Sequence, residues 1–383
     1  MQSRLPPQAY IDQDWFERER ELLFKPLWQF VGLKGMLDKH NAFLTCQLFG
    51  IPVVVQNFRG ELRAFENVCP HRQNPIQTAA HGVRALTCGY HGWNFDSEGA
   101  PAHIPFDAEL YRYPQEERAC LHLRRFALEC IGNLVFINLS PEPMPIRQQF
   151  GAAMTASLAH SSLAFDSEVV MTTYDARFNW KLVYENLRDA NHPTFVHAQT
   201  LGKYATFNAF VDEDALVSLR RMRADGIPDK ARAMALLRSF SGGGRDEPIE
   251  HIPHQYWFDN VERYRDQDWY YNWLVFPNLH IASPTGGYTF TIEHHIPVGP
   301  DRTRMVVYYL TAKKKQPYAS SPAVLHDLML STDVILSEDI GVLEQVQRTL
   351  HPASRPAQLG DYEYINAGIE PWYMDVMEGK IVL

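Results

Sequence analysis

Cysteine and histidine recur in one short pattern at two places in the chain. The first is Cys69-Pro70-His71-Arg72; after sixteen intervening residues from His71 comes Cys88-Gly89-Tyr90-His91-Gly92-Trp93. Two thiolates and two imidazoles can close a metal site, and two metals compete for such a set. Zinc accepts two Cys and two His in a tetrahedron. A [2Fe–2S] centre instead places both Cys on one iron and both His on the other, which lowers the cluster's negative charge and raises its potential. Zinc fingers usually pair Cys with Cys and His with His. Here each loop offers one of each, which suits a binuclear cluster clasped between two loops. The other cysteines, Cys46, Cys120 and Cys130, are expected to be small core residues.

A second constellation runs from Asn179 to His197, NWKLVYENLRDANHPTFVH. Asp189 and His192 are three apart and would share a helix face. His192 and His197 are five apart, about 140° around a straight helix, which is poor for chelation. Pro193 resolves this. It disfavours helical geometry at His192 and predicts a break there, which lets His197 swing toward the same metal. Two neutral histidines and a carboxylate on one face of an iron leave positions open for oxygen. A third ligand is sought on the C-terminal helix, where Asp339 is ringed at helical spacing by Ile335, Leu336, Val342 and Leu343. A carboxylate on an apolar face is costly unless paired or metal-bound. Glu338, near Val334, Ile335, Gly341 and Val342, is almost as well placed, so both acids stay open on periodicity alone.

Elements must hold these residues. Asp14–Phe24 has helical spacing. From Trp28 to about Asn138 short β-like runs follow, among them Ile51–Val55, Leu62–Phe65, Leu86–Thr87 and Leu134–Ile137, broken by Gly, Asn and Pro. Ser140–Ile146 holds three prolines and reads as a linker. Beyond it the pattern is mixed: a strand at Glu168–Tyr174, a helix at Trp180–Ala190, a flexible loop at Ser239–Arg245 around Gly242-Gly243-Gly244, strands at Tyr270–Phe276, Tyr288–His294 and Thr303–Leu310, and a long last helix from about Ala323 to Leu350. The division expected is an N-terminal helical segment, 1–38, packing on the catalytic domain, an all-β domain at 39–145 and the catalytic domain at 146–383. A chain of 383 residues with 45% apolar composition has ample material for two cores. Its 36 basic and 45 acidic residues, net charge -9, include no basic run for nucleic acid or an anionic membrane. No apolar stretch nears the roughly 20 residues of a membrane helix, and the start lacks a secretion signal's apolar core. A cytoplasmic protein is expected.

The first constellation resembles the Rieske motif C-x-H…C-x2-H, and CGYHGWNFDSEG is similar to its second loop, including the Gly-Trp pair and Gly99. Many family members carry Gly after CPHR where Gln73 stands here, a departure that bears on the loop's backbone and packing. NWKLVYEN…D-x2-H-x4-H is similar to the catalytic segment of Rieske non-haem iron oxygenase α subunits, and the resemblance covers nearly the whole chain. It implies an α+β fold: a small all-β Rieske domain plus a larger domain whose antiparallel sheet is covered by helices, helix-grip-like. It implies a [2Fe–2S] cluster on Cys69, His71, Cys88 and His91, and a mononuclear Fe(II) on His192, His197 and Asp339. By the same resemblance Asp189 links a cluster histidine, matching His91, in one subunit to His192 in its neighbour, and Asn186 matches an Asn near the iron in some members. The Asn186–Asp189 spacing is one shorter than in the naphthalene dioxygenase type and looks more like the monooxygenase and demethylase branch. Also implied are O2 as co-substrate, a homotrimer, and a ferredoxin or flavin reductase that passes on electrons from NAD(P)H. No GxGxxG motif is present in the chain to bind the nucleotide itself.

The function so expected is that of a terminal oxygenase component that hydroxylates or oxidatively demethylates a small aromatic or related substrate. The alternatives are a Rieske electron-transfer or metal-binding protein without oxygenase activity, and a zinc-stabilised binding module. The region after the histidine pair is rich in aromatics: Phe207, Phe210, Tyr256, Trp257, Phe258, Trp269, Tyr270, Tyr271 and Trp273. Such residues stack an aromatic ring or cage a quaternary ammonium, although most are expected in the core. Arg220, Arg221 and Arg223 could meet a carboxylate but read more simply as a solvated face.

Overall fold

Short apolar runs separated by X-Gly pairs fold as antiparallel hairpins. Phe49–Gly50 and Arg59–Gly60 each place two consecutive residues at positive φ, the geometry of the tight turns that match strand twist. The computed structural model describes residues 1–203, 207, 209–240, 243–244, 246–249, 252–316 and 321–383. The chain divides into two compact units, Trp28–Pro143 on one side and Met1–Leu27 with Met144–Leu383 on the other.

The smaller unit holds β1 (Gln29–Leu33), β2 (Ala42–Leu48), β3 (Ile51–Phe58), β4 (Glu61–Glu66), β5 (His81–Val83), β6 (Asn94–Phe95), β7 (Pro101–His103), β8 (Arg125–Ile131) and β9 (Leu134–Asn138). One antiparallel sheet runs β1-β9-β8-β4-β3-β2-β5, and β6 and β7 form a separate ribbon. Because β1 pairs with β9, the helical N-terminal segment ends by Leu27 and not at residue 38. Leu86–Thr87 forms no strand; it pairs through an isolated bridge from Thr87 to Asn94, and Leu86 O accepts from Phe95 N–H at 2.9 Å. Cys69 and Cys88 are buried with Phe65, Ile76, Trp93 and Phe95. Cys46 is half-buried and Cys120 and Cys130 are exposed, so the expectation that these three are core residues is corrected.

The larger unit contains α1 (Gln8–Ile11), α2 (Gln13–Glu19), α3 (Ile146–Ser162), β10 (Val170–Ala176), α4 (Trp180–Arg188), α5 (His192–Val196), α6 (Glu213–Asp225), α7 (Lys230–Phe240), β11 (Gly243–Gly244), β12 (Glu247–Pro248), β13 (Trp269–Val275), β14 (Leu279–Ser283), β15 (Thr289–Gly299), β16 (Arg302–Thr311), α8 (Pro322–Thr349) and α9 (Tyr364–Met377). Its antiparallel sheet runs β10-β16-β15-β14-β13-β11, with β12 also on β13. One sheet face packs on α4 and α8 through Phe178, Leu182, Val183, Met305, Val307, Leu336 and Leu343. The N-terminal helices are tied to this unit by buried Glu19, which meets Lys181 Nζ at 2.5 Å and accepts from Trp180 Nε1 at 3.0 Å. A buried pair of this kind is a strong constraint, since removing either partner strands a charge.

Three expectations change here. The glycine-rich stretch is not all loop: Gly243–Gly244 pair with β13, while Ser241, Gly242 and Arg245 lie outside the described residues. The long helix is not the last element, because α9 follows with Pro371 inside it, and a proline in a helical pattern reads as a stop. And β14 was not anticipated, its five residues including a His and a Ser that dilute the apolar run.

Candidate active site and cluster site

The two Cys/His loops are built on one plan. Cys69 N–H donates to Asn74 O at 2.9 Å and Gln73 N–H to Cys69 O at 2.8 Å. Cys88 N–H donates to Trp93 O at 2.8 Å and Gly92 N–H to Cys88 O at 3.0 Å. In each loop the residue four after the cysteine turns left-handed, Gln73 at φ 56 and Gly92 at φ 73. The usual glycine after CPHR therefore has a backbone reason, and Gln73 takes the same conformation against the Cβ clash that favours glycine. Both cysteines are 2% exposed, while His71 and His91 are half-buried with ring centroids 4.5 Å apart. His71 stacks on fully buried Trp93 at 5.1 Å, interplanar 3°.

The donor set fits a binuclear cluster. A single tetrahedral zinc needs its donor atoms all within roughly 4 Å of each other. Among the described residues the group whose donor atoms all lie within 4.8 Å of one another is His192, His197 and Asp339, and not the Cys/His quartet. His91 Nδ1 is buried with no protein partner, as a metal-facing nitrogen would be. Burial, reinforced by Cys88, pushes the Cys69 thiol up to about 11, so a thiolate there calls for adjacent metal charge.

The second site joins α4, α5 and α8. α4 stops at Arg188, and Asp189 already has extended backbone, φ -82 and ψ 113. α5 begins at His192 with Pro193 in its first turn, where the missing N–H costs nothing. This corrects two expectations. Asp189 and His192 do not share a helix, and Pro193 starts a helix after the break instead of causing it. His192 Nδ1 faces Asp189 O at 2.8 Å and His197 Nδ1 faces Glu338 Oε2 at 2.8 Å. With the far nitrogen of each ring so occupied, both Nε2 atoms turn inward, 3.6 and 3.1 Å from Asp339 Oδ1. Asn186 Nδ2 donates to that same oxygen at 3.0 Å. The three donor atoms lie within 4.8 Å of one another. This geometry separates the two acids that periodicity left open: Asp339 sits on the inward nitrogens, and Glu338 on the outer nitrogen of His197, where it also accepts from Thr200 Oγ1 at 2.7 Å. Hydrogen-bonding the remote nitrogen is how proteins fix the tautomer of a ligating histidine. Burial pushes the His192 imidazole down, toward its neutral ligand form, while for His197 Asp339 and Glu338 outweigh burial and push it up. Ile335, Leu336 and Leu343 line the cavity with Asp339; Val342, also expected around it, is 39% exposed.

The cavity beside these residues has a volume of about 200 Å3. Of the aromatics singled out in the sequence, Phe207 and Tyr270 line it. Tyr256 and Phe210 are exposed, Phe258 stacks on Tyr288, and Trp273 donates to Asp246. Arg220 and Arg223 pair with Asp361 and Glu370, and Arg221 is exposed, so none of the three reaches the cavity wall. Glu338, an alternative ligand in the sequence, instead meets the outer His197 nitrogen, while Thr200, Asn272, His280 and Glu293 were not read from sequence at all. The run Thr291-Ile-Glu-His-His-Ile296, ionisable residues flanked by isoleucines, was the available signal for the last of them.

A family model described as "Ring hydroxylating alpha subunit (catalytic domain)" matches residues 167–379, and one described as "Rieske [2Fe-2S] domain" matches residues 27–114. The chain belongs to the ring-hydroxylating oxygenase α-subunit family. The oxygenase subunit is 25% identical over 370 residues to the anthranilate 1,2-dioxygenase large subunit of Burkholderia cepacia, covering 90% of this chain and 84% of that one. It is 30% identical over 207 residues to the glycine betaine monooxygenase oxygenase subunit of Pseudomonas aeruginosa, covering 51% and 45%. In fold it is similar to a quaternary ammonium Rieske monooxygenase crystallised with an inhibitor, TM-score 0.73, 17% identity, covering 97% and 95% of the two chains. The oxygenase subunit is an oxidoreductase, the terminal component of a Rieske system. It uses a [2Fe–2S] cluster, a mononuclear iron, O2 and electrons supplied by a protein partner. This reading displaces the electron-transfer protein and the zinc module.

Proposed function

We propose that His192, His197 and Asp339 bind the mononuclear iron and that Cys69, His71, Cys88 and His91 hold the cluster. One observation carries the iron assignment: two imidazoles, each held at its outer nitrogen, point their inner nitrogens at one carboxylate oxygen. When bound, the two metal centres supply the electron transfer and oxygen activation that no side chain here can perform. The side chains do the positioning. Asn186 orients Asp339, Glu338 and the Asp189 carbonyl hold the rings, and Leu274, Met305 and Leu343 keep the cavity dry.

Asp189 is proposed as the bridge between subunits of a homotrimer, carrying electrons from a cluster histidine of the neighbouring subunit toward His192. In support, its main-chain carbonyl, not its carboxylate, meets the His192 ring. Among the described residues its Oδ1 accepts only the main-chain N–H groups of Asn191 at 2.7 Å and His192 at 3.4 Å. We place the trimer in the cytoplasm with a ferredoxin or flavin reductase fed by NAD(P)H; among the described residues no helix is long and apolar enough to cross a membrane. The relatives' names bring an aromatic acid and a quaternary ammonium compound into view, and a small aromatic or related molecule, hydroxylated or demethylated, is the substrate proposed.

Replacing Asp339→Ala should lower iron from about three to about two atoms per chain, leave the cluster spectrum intact and stop oxygen uptake coupled to product. Retention of all the iron would sink the ligand assignment. Asp189→Asn keeps the carbonyl that holds His192. It should retain both metals while turnover falls by roughly 100-fold or more, as expected when a step depends on one positioned group; normal turnover would sink the bridge.

A further inference from the structure

Across the cavity from Asp339, the sheet presents a second polar group that the oxygen chemistry does not use. Side chains two apart on a strand share a face. Tyr270 and Asn272 on β13, His280 on β14 and Glu293 on β15 all face the cavity, with His280 and Glu293 directly opposite in register. His295, two residues beyond Glu293, lies on the same side. The group is deeply buried: His280 is 3%, Glu293 4% and His295 4% exposed.

Its hydrogen bonds leave few choices. Glu293 meets His280 Nδ1 at 3.1 Å through Oε1 and His295 Nε2 at 3.0 Å through Oε2. Burial would raise the Glu293 carboxyl, but the two histidines outweigh it and hold it well below the usual range, so it stays a carboxylate. The other His280 nitrogen lies 2.6 Å from Asn272 Oδ1. Two acceptors cannot face each other at that distance, so His280 Nε2 donates to Asn272 Oδ1, while its Nδ1 edge lies against the Glu293 carboxylate. Asn272 therefore turns its amide nitrogen toward the cavity. Tyr270 adds a hydroxyl; burial, then Glu293 and Asp339, push it up, so it remains a neutral donor. Among the described residues neither Asn272 Nδ2 nor Tyr270 Oη has a hydrogen-bond partner. At the end of α4 Arg188 also lines the cavity and contributes positive charge, its guanidinium held by Phe240 O at 2.8 Å.

We propose that Asn272 and Tyr270 are the specificity-determining donors of the substrate site, with the His280–Glu293–His295 chain fixing Asn272 in its donating orientation, and that the substrate carries a carboxylate at the end remote from the oxidised carbon. This rests on the oxygenase reading and narrows its substrate class. A hydrocarbon would leave two desolvated donors unpaired, which is the costly outcome. A quaternary ammonium without an acid group offers no acceptor at all. The cavity, about 200 Å3, is smaller than the roughly 300–1,000 Å3 of common ligand sites and suits a single ring.

The test is calorimetric binding of benzoate, toluene and benzyltrimethylammonium to the metal-loaded protein, with iron and cluster content measured on the same samples. Benzoate should bind at least about tenfold more tightly than the other two. Asn272→Leu and Tyr270→Phe should each weaken benzoate by about tenfold and leave toluene unchanged. Asn272→Asp keeps an acceptor for His280 but sets a carboxylate against the ligand, and should abolish benzoate binding. Fully loaded protein that binds toluene or the ammonium as tightly as benzoate overturns the proposal, as does benzoate affinity unchanged in Asn272→Asp. Wild-type protein that lacks the mononuclear iron fails the oxygenase reading instead, whatever it binds.

Discussion

The Cys/His loops and the His/Asp cradle both hold the proposed metal donors at set distances, and they do it by opposite means. The loops are local. Each closes on itself through two main-chain hydrogen bonds within six residues and a left-handed turn. The cradle is not local: Asn186 and Asp339 are 153 residues apart, and His197 and Glu338 are 141 apart. A loop that closes on itself tolerates changes elsewhere in the chain. A cradle made of three packed helices depends on every contact that keeps them in register, and on side chains such as Asn186 and Glu338 that hold the proposed ligands.

The comparison breaks most visibly if the two sites are not independent. Cys88→Ser should remove the colour and about two irons per chain while the mononuclear iron stays, read by metal analysis and absorbance; loss of all iron would show that the cluster also supports the cradle. Next is Asn186→Ala, which frees Asp339 Oδ1 and should weaken iron binding by roughly 10–100-fold in chelator competition, with the cluster spectrum unchanged.

A third difference is a pH dependence confined to the cradle's unit. Glu185 accepts from the Tyr10 hydroxyl at 2.6 Å and is pushed up by burial to about 7, against the Tyr10 hydrogen bond and Lys181. A raised carboxyl contributes stability that is full below about pH 4.3 and lost as pH climbs through about 7, on the order of 1–3 kcal/mol. Thermal unfolding of the larger unit should therefore weaken over that window, Glu185→Gln should flatten the slope, and the transition of the smaller unit should not follow it. The smallest effect lies in the loops. Gln73→Gly should raise the smaller unit's stability by about 1 kcal/mol, because Gln73 sits at φ 56. The mirror change Gly92→Ala, at φ 73 with a Cβ 3.1 Å from Pro105 Cγ, should lower it by about as much or more. Denaturant titration reads both, and equal effects of the same sign would dissolve the likeness between the loops.

The cluster loops, the β-rich character of their unit, α4, α8 and the order of the two metal motifs could be read from residue types alone, because turns, strand alternation and helical periodicity act over a few residues. Three matters needed the tertiary structure. The first was the choice between Glu338 and Asp339: neighbours on a helix differ by about 100° in direction, and only packing against α5 says which faces inward. The second was the true role of Pro193, which depends on α4 having ended at Arg188. The third was the Asn272–His280–Glu293 chain, which exists only because β14 aligns His280 with Glu293 thirteen residues later and brings it to Asn272. Register between strands is set by what the whole sheet buries, and a one-residue slip would turn each of these side chains to the other face.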